Sequence, residues 1–300
     1  MKVLVSGASG LVGAMLVPEL ASAGHDVRRL VRNASRAASG DLVWNPAAGE
    51  LDVVALEAFD AVVNLAGESI ASGRWTARKK AEIRQSRISA TNTLAKALAQ
   101  LTTRPRTLVN ASAIGFYGNR GEERLDETSS AGSGDFLSEV CRAWESATEP
   151  AARVGVRVVV TRFGVILSAN GGALAKMLLP FKLGLGGKIG SGRQYMSWVA
   201  IDDVVGAIMH CLNDQSLRGP VNVVAPEPVT NAKYTKTLGR VLARPTIFPM
   251  PAFAARAAFG QMADELLLSG QRVEPAKLLA SGYAFKYPSL EATLRHVLTR

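Results

Sequence analysis

The first thirteen residues constrain this chain more than any other stretch. Lys2 to Ser6 (KVLVS) has the apolar, β-branched texture of a buried strand, and it runs straight into Gly7-Ala8-Ser9-Gly10-Leu11-Val12-Gly13. The following amphipathic residues predict a helix ending near Ala23. Strand, glycine turn and helix, in that order, are what a dinucleotide pyrophosphate requires. Gly7 permits a sharp turn, Gly10 puts no Cβ between backbone and phosphate, and Gly13 lets the helix approach the sheet. The phosphates then meet unpaired amides at the helix start.

The second strand bears on which coenzyme is bound. An NAD site carries an Asp or Glu about 20 residues past the glycines to bond the ribose hydroxyls. Here Asp26 to Val31 (DVRRLV) reads as that strand, its acid stands at the beginning, and the residue following the strand is Arg32. A guanidinium at that place suits a 2′-phosphate, so the expected cofactor is NADP(H). The competing reading makes Arg28, Arg29 and Arg32 solvated edge charges, and it fits Arg28 or Arg29 better than Arg32.

The remaining pattern alternates strands and helices. Further strands are expected at Asp41 to Trp44, Phe59 to Ala66, Thr107 to Ser112 and Arg157 to Phe163, with helices over 74–101 and 134–154. This predicts an α/β fold, a Rossmann-type doubly wound parallel sheet, over residues 1–165. Residues 166–300 are expected to form a smaller, mostly helical lobe on the substrate side, partly interleaved with the first. The 74–101 helix starts with Arg74, Arg78, Lys79, Lys80, Arg84 and Arg87 against the acid Glu82. Most such runs are solvated faces, but Arg87 is placed to meet a cofactor phosphate. The loop from Leu183 to Gly192 (LGLGGKIGSG) is either a surface connection or a concavity of amides for an anion. Glu68, after the Phe59 to Ala66 strand, could face the site or cap the next segment.

Composition narrows the class. The 300 residues are 48% apolar, enough for a large core, and no apolar run approaches a membrane span. Two cysteines and three scattered histidines suggest neither a disulfide framework nor a metal site. With a strand at the N-terminus leaving no room for a signal peptide, the simplest expectation is a reduced cytoplasmic enzyme without structural metal. The net charge is +10, and all of the excess lies in residues 151–300, which hold 18 Lys/Arg and 8 Asp/Glu. That half should meet a small anionic substrate; no nucleic-acid motif is visible, and neither nucleic acid nor membrane is an expected partner.

Several motifs together resemble a known family. Gly7, Gly10 and Gly13, the Asn64-Leu65-Ala66-Gly67 strand end, Ser112 with Tyr117-Gly118, and Trp198 to Val204 (WVAIDDV) are similar to the extended short-chain dehydrogenase/reductases. Phe136 to Glu145, the Phe181 to Gly187 loop, Ala225 to Asn231 and Gln271-Arg272-Val273 resemble, over the full length, an atypical epimerase-family oxidoreductase branch with its own C-terminal domain. The resemblance implies NADP(H) binding through Gly7, Ser9, Gly10, Leu11, Val12 and Gly13, through Arg32, and through Leu65, Ala66 and Gly67. It also implies Glu82, Arg87 and Ile166 as cofactor residues.

Departures from the wider family concern chemistry. Its members use a Tyr phenolate, a Lys four residues later and a Ser/Thr hydroxyl. Alignment on the motifs places Leu137, Cys141 and Ala113 there. Met196 and Val165 replace an Arg and an Asn on the sugar-nucleotide side. The resulting expectation is an NADP(H)-dependent oxidoreductase with a rebuilt proton-transfer site, for which Glu68, Ser112 and Tyr117 are the substrate-side candidates and no catalytic residue is assigned. The alternative is a non-catalytic NADP(H)-dependent sensor or assembly factor, a role that the labels of some relatives link to cell division.

Overall fold

The computed structural model describes residues 1–299, with the backbone alone described at Arg36. Its strands are β1 (Lys2–Ser6), β2 (Asp26–Val31), β3 (Leu42–Asn45), β4 (Glu50–Leu51), β5 (Ala61–Asn64), β6 (Thr107–Ala113), β7 (Arg124–Leu125) and β8 (Arg157–Phe163). These are followed by β9 (Val165–Leu167), β10 (Tyr195–Met196), β11 (Trp198–Ala200), β12 (Gly219–Val223), β13 (Val229–Thr230) and β14 (Arg272–Val273). The helices are α1 (Gly13–Ser22), α2 (Ala77–Gln100), α3 (Phe136–Ser146), α4 (Glu149–Arg153) and α5 (Gly172–Lys182). After them come α6 (Ile201–Asn213), α7 (Asn231–Leu242), α8 (Ala252–Phe259), α9 (Ala276–Ala280) and α10 (Leu290–Thr299).

Eight strands form the central sheet in the order β12-β8-β6-β5-β1-β2-β3-β4, parallel except for the β4 edge. The strand order reverses at β1, between β5 and β2, and such a switch point opens a crevice at the carboxyl ends of the strands. Strand alternation divides the core between two faces. Val3, Val5, Val63 and Val109 pack with Leu16 and Leu20 of α1 and Val204 and Ile208 of α6. Leu4, Val62 and Leu108 pack with Leu94 and Leu98 of α2 and Ala151 of α4.

Local boundaries follow from side-chain chemistry. The Thr76 side chain accepts from the Lys79 amide, so α2 begins at Ala77 and not at Arg74. Asp135 caps α3 in the same way, and the 134–154 helix breaks after Ser146, with Pro150 in the first turn of α4. The chain returns from residue 166 to place β12 beside β8, so the second half contributes a strand to the first unit's sheet. The lobe proper has its own core, in which Leu174, Phe181, Tyr234, Leu238, Leu290 and Leu294 join α5, α7 and α10.

Asp41 is not part of the third strand; its side chain is 6% exposed and paired with Arg29. It accepts from Arg29 Nε at 3.0 Å and from the Ala38 amide at 2.7 Å. Burial works against ionisation, but these hydrogen bonds hold the carboxyl below its usual range. A depressed folded-state pKa contributes stability above the unfolded carboxylate range and loses it as pH falls through the folded value. Asp41→Asn is therefore expected to cost ~1–2 kcal/mol at neutral pH, discounted for the half-exposed Arg29, and the deficit should vanish in acid. Urea unfolding at both pH values measures it.

Candidate cofactor and active site

The glycine turn packs against the neighbouring strand end. Gly7 has φ +67°, and a Cβ there would lie 2.7 Å from the Leu65 carbonyl carbon. At Gly13 a Cβ would lie 2.3 Å from the Gly7 oxygen, so the first turn of α1 sits on the loop that precedes it. Gly10 differs, since its nearest protein atom would be 3.2 Å away and the residue is exposed. The protein itself asks little of Gly10; a ligand would ask for closeness. The amides of Leu11 and Val12 have no acceptor among the described residues, whereas that of Gly10 bonds Gly7. The Leu11 side chain lies against Gly171 and Gly172 at the start of α5, next to the Ile166 carbonyl.

The arginines of β2 divide as their partners dictate. Arg28 pairs with Asp26 and Arg29 with Asp41, while Arg32, exposed beyond the strand, has no hydrogen bond or ion pair among the described residues. Its charge is felt by Glu68. The Glu68 carboxylate accepts from Lys79 Nζ at 2.7 Å, and that hydrogen bond, reinforced by the charges of Lys79 and Arg32, holds it below the usual range. Glu68 is thus ionised at neutral pH and has no proton to give, which removes it as a proton donor. Lys79 also approaches Glu82 at 3.8 Å, and Glu82 accepts from Arg78 at 2.9 Å. Within its charged run, Lys79 is the cation that joins Glu82 to Glu68.

Arg87 sits under Gly67, where a Cβ would lie 3.3 Å from the guanidinium carbon. It donates to the Ile83 carbonyl at 3.0 Å and lies 5.0 Å from the Trp144 ring centroid. Burial lowers its pKa, and no carboxylate bonds to it among the described residues. The β5 end itself is held by a buried network: Ser6 donates to Asn64, and Asn64 donates to Thr91 and to Asn110. The structure therefore gathers Gly7 to Gly13, Leu65 to Glu68, Arg87 and Ile166 at one crevice, with Arg32 and Glu82 linked to it through Glu68.

Ser112 and Tyr117 are not free to meet a substrate. Ser112, 2% exposed, donates to Glu145 at 2.7 Å. Glu145 takes a bidentate pair from Arg162, at 2.9 and 2.8 Å. Arg162 Nη1 donates to the Tyr117 hydroxyl at 2.9 Å, which donates onward to Asn222 at 2.8 Å. Tyr117 is fully buried, and desolvation pushes its pKa up in spite of Arg162. Both hydroxyls are consumed by a structural chain that ties β6, α3, β8 and β12 together. Arg162 is the buried charge that an apolar strand sequence (RVVVTRF) could have flagged.

The three aligned positions do converge. A Cβ on Gly115 would lie 3.3 Å from Leu137 Cβ and 3.6 Å from Cys141 Sγ, one helical turn apart on α3. Cys141 stands beside Ala113 and Ser112, and burial pushes its thiol up to about 12. Leu137 forms part of the wall of a cavity of about 310 Å³, together with Gly118, Asn119, Asp135, Gln261, Asp264, Glu265 and Gln271. Glu265 accepts from the amides of Phe136 and Leu137, and Gln271 donates to the Gly118 carbonyl. The C-terminal segment thereby closes the end of α3.

The glycine loop 183–192 connects α5 to β10, and part of its backbone is already spoken for. Its Ile189 and Gly190 amides donate to Asn231 and to the Met250 carbonyl, and the Phe248 carbonyl occupies the place where a side chain at Gly187 would stand.

Comparison with known proteins agrees with this geometry. Residues 3–224 match the NAD dependent epimerase/dehydratase family, and residues 250–297 match a domain of unknown function, DUF1731. The chain is 47% identical over 298 residues to Epimerase family protein Mb2239 of Mycobacterium bovis, covering 99% of this chain and 98% of that one. It is 38% identical over 300 residues to human Epimerase family protein SDR39U1, covering 99% and 100% of the two chains. The crystal structure of human SDR39U1 (isoform 2) with NADPH superposes with a TM-score of 0.91 at 37% identity, over 100% of this chain and 99% of that one. A nucleoside-diphosphate sugar epimerase from Corynebacterium glutamicum superposes at 0.82 with 39% identity, over 99% of this chain and 58% of that longer chain. On these matches the chain belongs to the NAD-dependent epimerase/dehydratase family, in the SDR39U1 branch with a DUF1731 C-terminal domain.

Proposed function

We propose that this protein binds NADP(H) in preference to NAD(H), and that it is an oxidoreductase-type enzyme without the family's Tyr and Lys pair. The observation that carries the coenzyme reading is Arg32, an exposed guanidinium with no ion pair among the described residues at the end of β2, where its two arginine neighbours are already neutralised. The NADPH held by the human relative supports it, while the Thermus thermophilus UDP-glucose 4-epimerase, of the same fold at 21% identity, is described with NAD. The nicotinamide supplies the hydride when bound. This chain's residues would hold it: Gly7 to Gly13 the pyrophosphate, Leu65, Ala66 and Gly67 the adjoining ribose, Arg32 the 2′-phosphate. Calorimetry on the purified chain should give NADPH ~10–100-fold tighter binding than NADH. Equal affinities, or tighter NADH, would refute the preference.

The substrate reading remains a small anionic molecule, as the excess of cations in residues 151–300 suggests. Asp135, Asp264 and Glu265 stand on the cavity wall beside Leu137, and no Lys or Arg is among the lining residues. Each of the three already has a partner, Asp135 the Ser138 amide, Asp264 the Arg256 guanidinium and Glu265 the Phe136 and Leu137 amides, so the acidity of the wall does not displace that reading. The second reading, a cofactor-dependent sensor, draws on Ala113, Leu137 and Cys141, which supply no group able to exchange a proton near neutral pH. In that case NADPH binds normally and no carbonyl compound is turned over.

A further inference from the structure

Two stretches of the second half contain no acid at all. Residues 169–201 and 228–263 hold nine Lys/Arg between them and not one Asp or Glu, and of the nine Arg240 and Arg256 pair with carboxylates from outside, Glu291 and Asp264. The fold lays them side by side. The Met250 amide donates to the Lys188 carbonyl at 2.9 Å, Arg244 donates to the Lys182 carbonyl at 2.9 Å, and Pro245 lies over Gly184. From this joined surface Leu179, Leu183, Leu185, Ile247, Phe248 and Phe253 project into solvent, each 55–74% exposed.

Scattered exposed apolar residues need no explanation, but six large ones on one cationic surface do. We propose that this face docks on the surface of a bilayer containing anionic lipid. Apolar tips interleaved with Lys182, Lys188 and Arg244 match the two-part chemistry of such a surface, an acyl boundary beneath negative headgroups. A second copy of this chain would bring the same cations face to face, and nucleic acid offers nothing to bury exposed Leu, Ile and Phe. No helix among the described residues is long and apolar enough to cross a membrane, so the contact is peripheral. It replaces the expectation of no membrane partner, which rested on the lack of a spanning segment.

The test is sedimentation of the full chain with vesicles of phosphatidylcholine alone or mixed with phosphatidylglycerol. Binding is expected only to the mixed vesicles and should weaken as salt rises. Lys182→Gln and Lys188→Gln should each weaken it about fivefold. The double variant Phe248→Ser, Phe253→Ser should abolish it with thermal unfolding unchanged, because both rings are exposed. No binding to the mixed vesicles, equal binding to both kinds, or unaltered binding by the double variant would overturn the proposal. So would a concentration-dependent dimer that the same double variant abolishes.

Discussion

Arg162→Met is expected to lower the unfolding free energy by ~3–5 kcal/mol, the cost of stranding one member of a buried ion pair. Arg162 and Glu145 have side chains only 4% and 14% exposed, so removing one partner strands the other charge in the core. The loss spreads, because Arg162 also supports the Tyr117 hydroxyl and stacks 3.4 Å from the Phe116 ring centroid. Its pH dependence gives an independent check. Because the cost is that of a buried charge without a partner, the variant's deficit should be largest at neutral pH and shrink in acid. Adding Glu145→Gln to the variant should recover part of the stability at neutral pH. Guanidinium unfolding of the three proteins decides the matter; a loss under about 1 kcal/mol would mean that the chain of contacts contributes only packing.

Arg32→Ala is expected to weaken NADPH binding ~10–100-fold and leave NADH within about threefold, as the loss of a charge-assisted phosphate contact would. The selectivity is the informative part. Arg87→Met, beneath Gly67 at the β5 end, should weaken both coenzymes alike, since it lies at a different strand end from Arg32. Arg28→Ala, whose guanidinium is occupied by Asp26, should change neither. Calorimetry with the two coenzymes reads all three variants, and a parallel loss of NADH binding in Arg32→Ala would show that the residue holds something other than the 2′-phosphate.

Much of this architecture is visible before folding is considered. The residues from Lys2 to Gly13 specify a strand, a turn and a helix through local sterics: β-branched residues, a positive φ at Gly7, and a Cβ-free contact at Gly13. Short apolar, β-branched runs then locate β2, β5, β6 and β8 to within a residue or two. Boundaries were less legible where a cap or a proline decided them, as at Thr76 and Pro150.

The pairing of side chains is a different matter. Tyr117 and Ser112 look like chemistry in a one-dimensional reading, because hydroxyls near a strand end usually are. Only the tertiary structure shows them spent on Arg162, Asn222 and Glu145, residues 33 to 105 positions away. Glu68 looks like a free acid until Lys79, one helix start later, reaches it. The summed charge of the second half said that cations were abundant, not that they gather around exposed Leu and Phe while carboxylates line the cavity. Backbone conformation answers to neighbours a few residues away, so the cofactor turn belongs to the sequence. Protonation, satisfaction of hydrogen bonds and surface character depend on residues brought close by packing, and those belong to the fold.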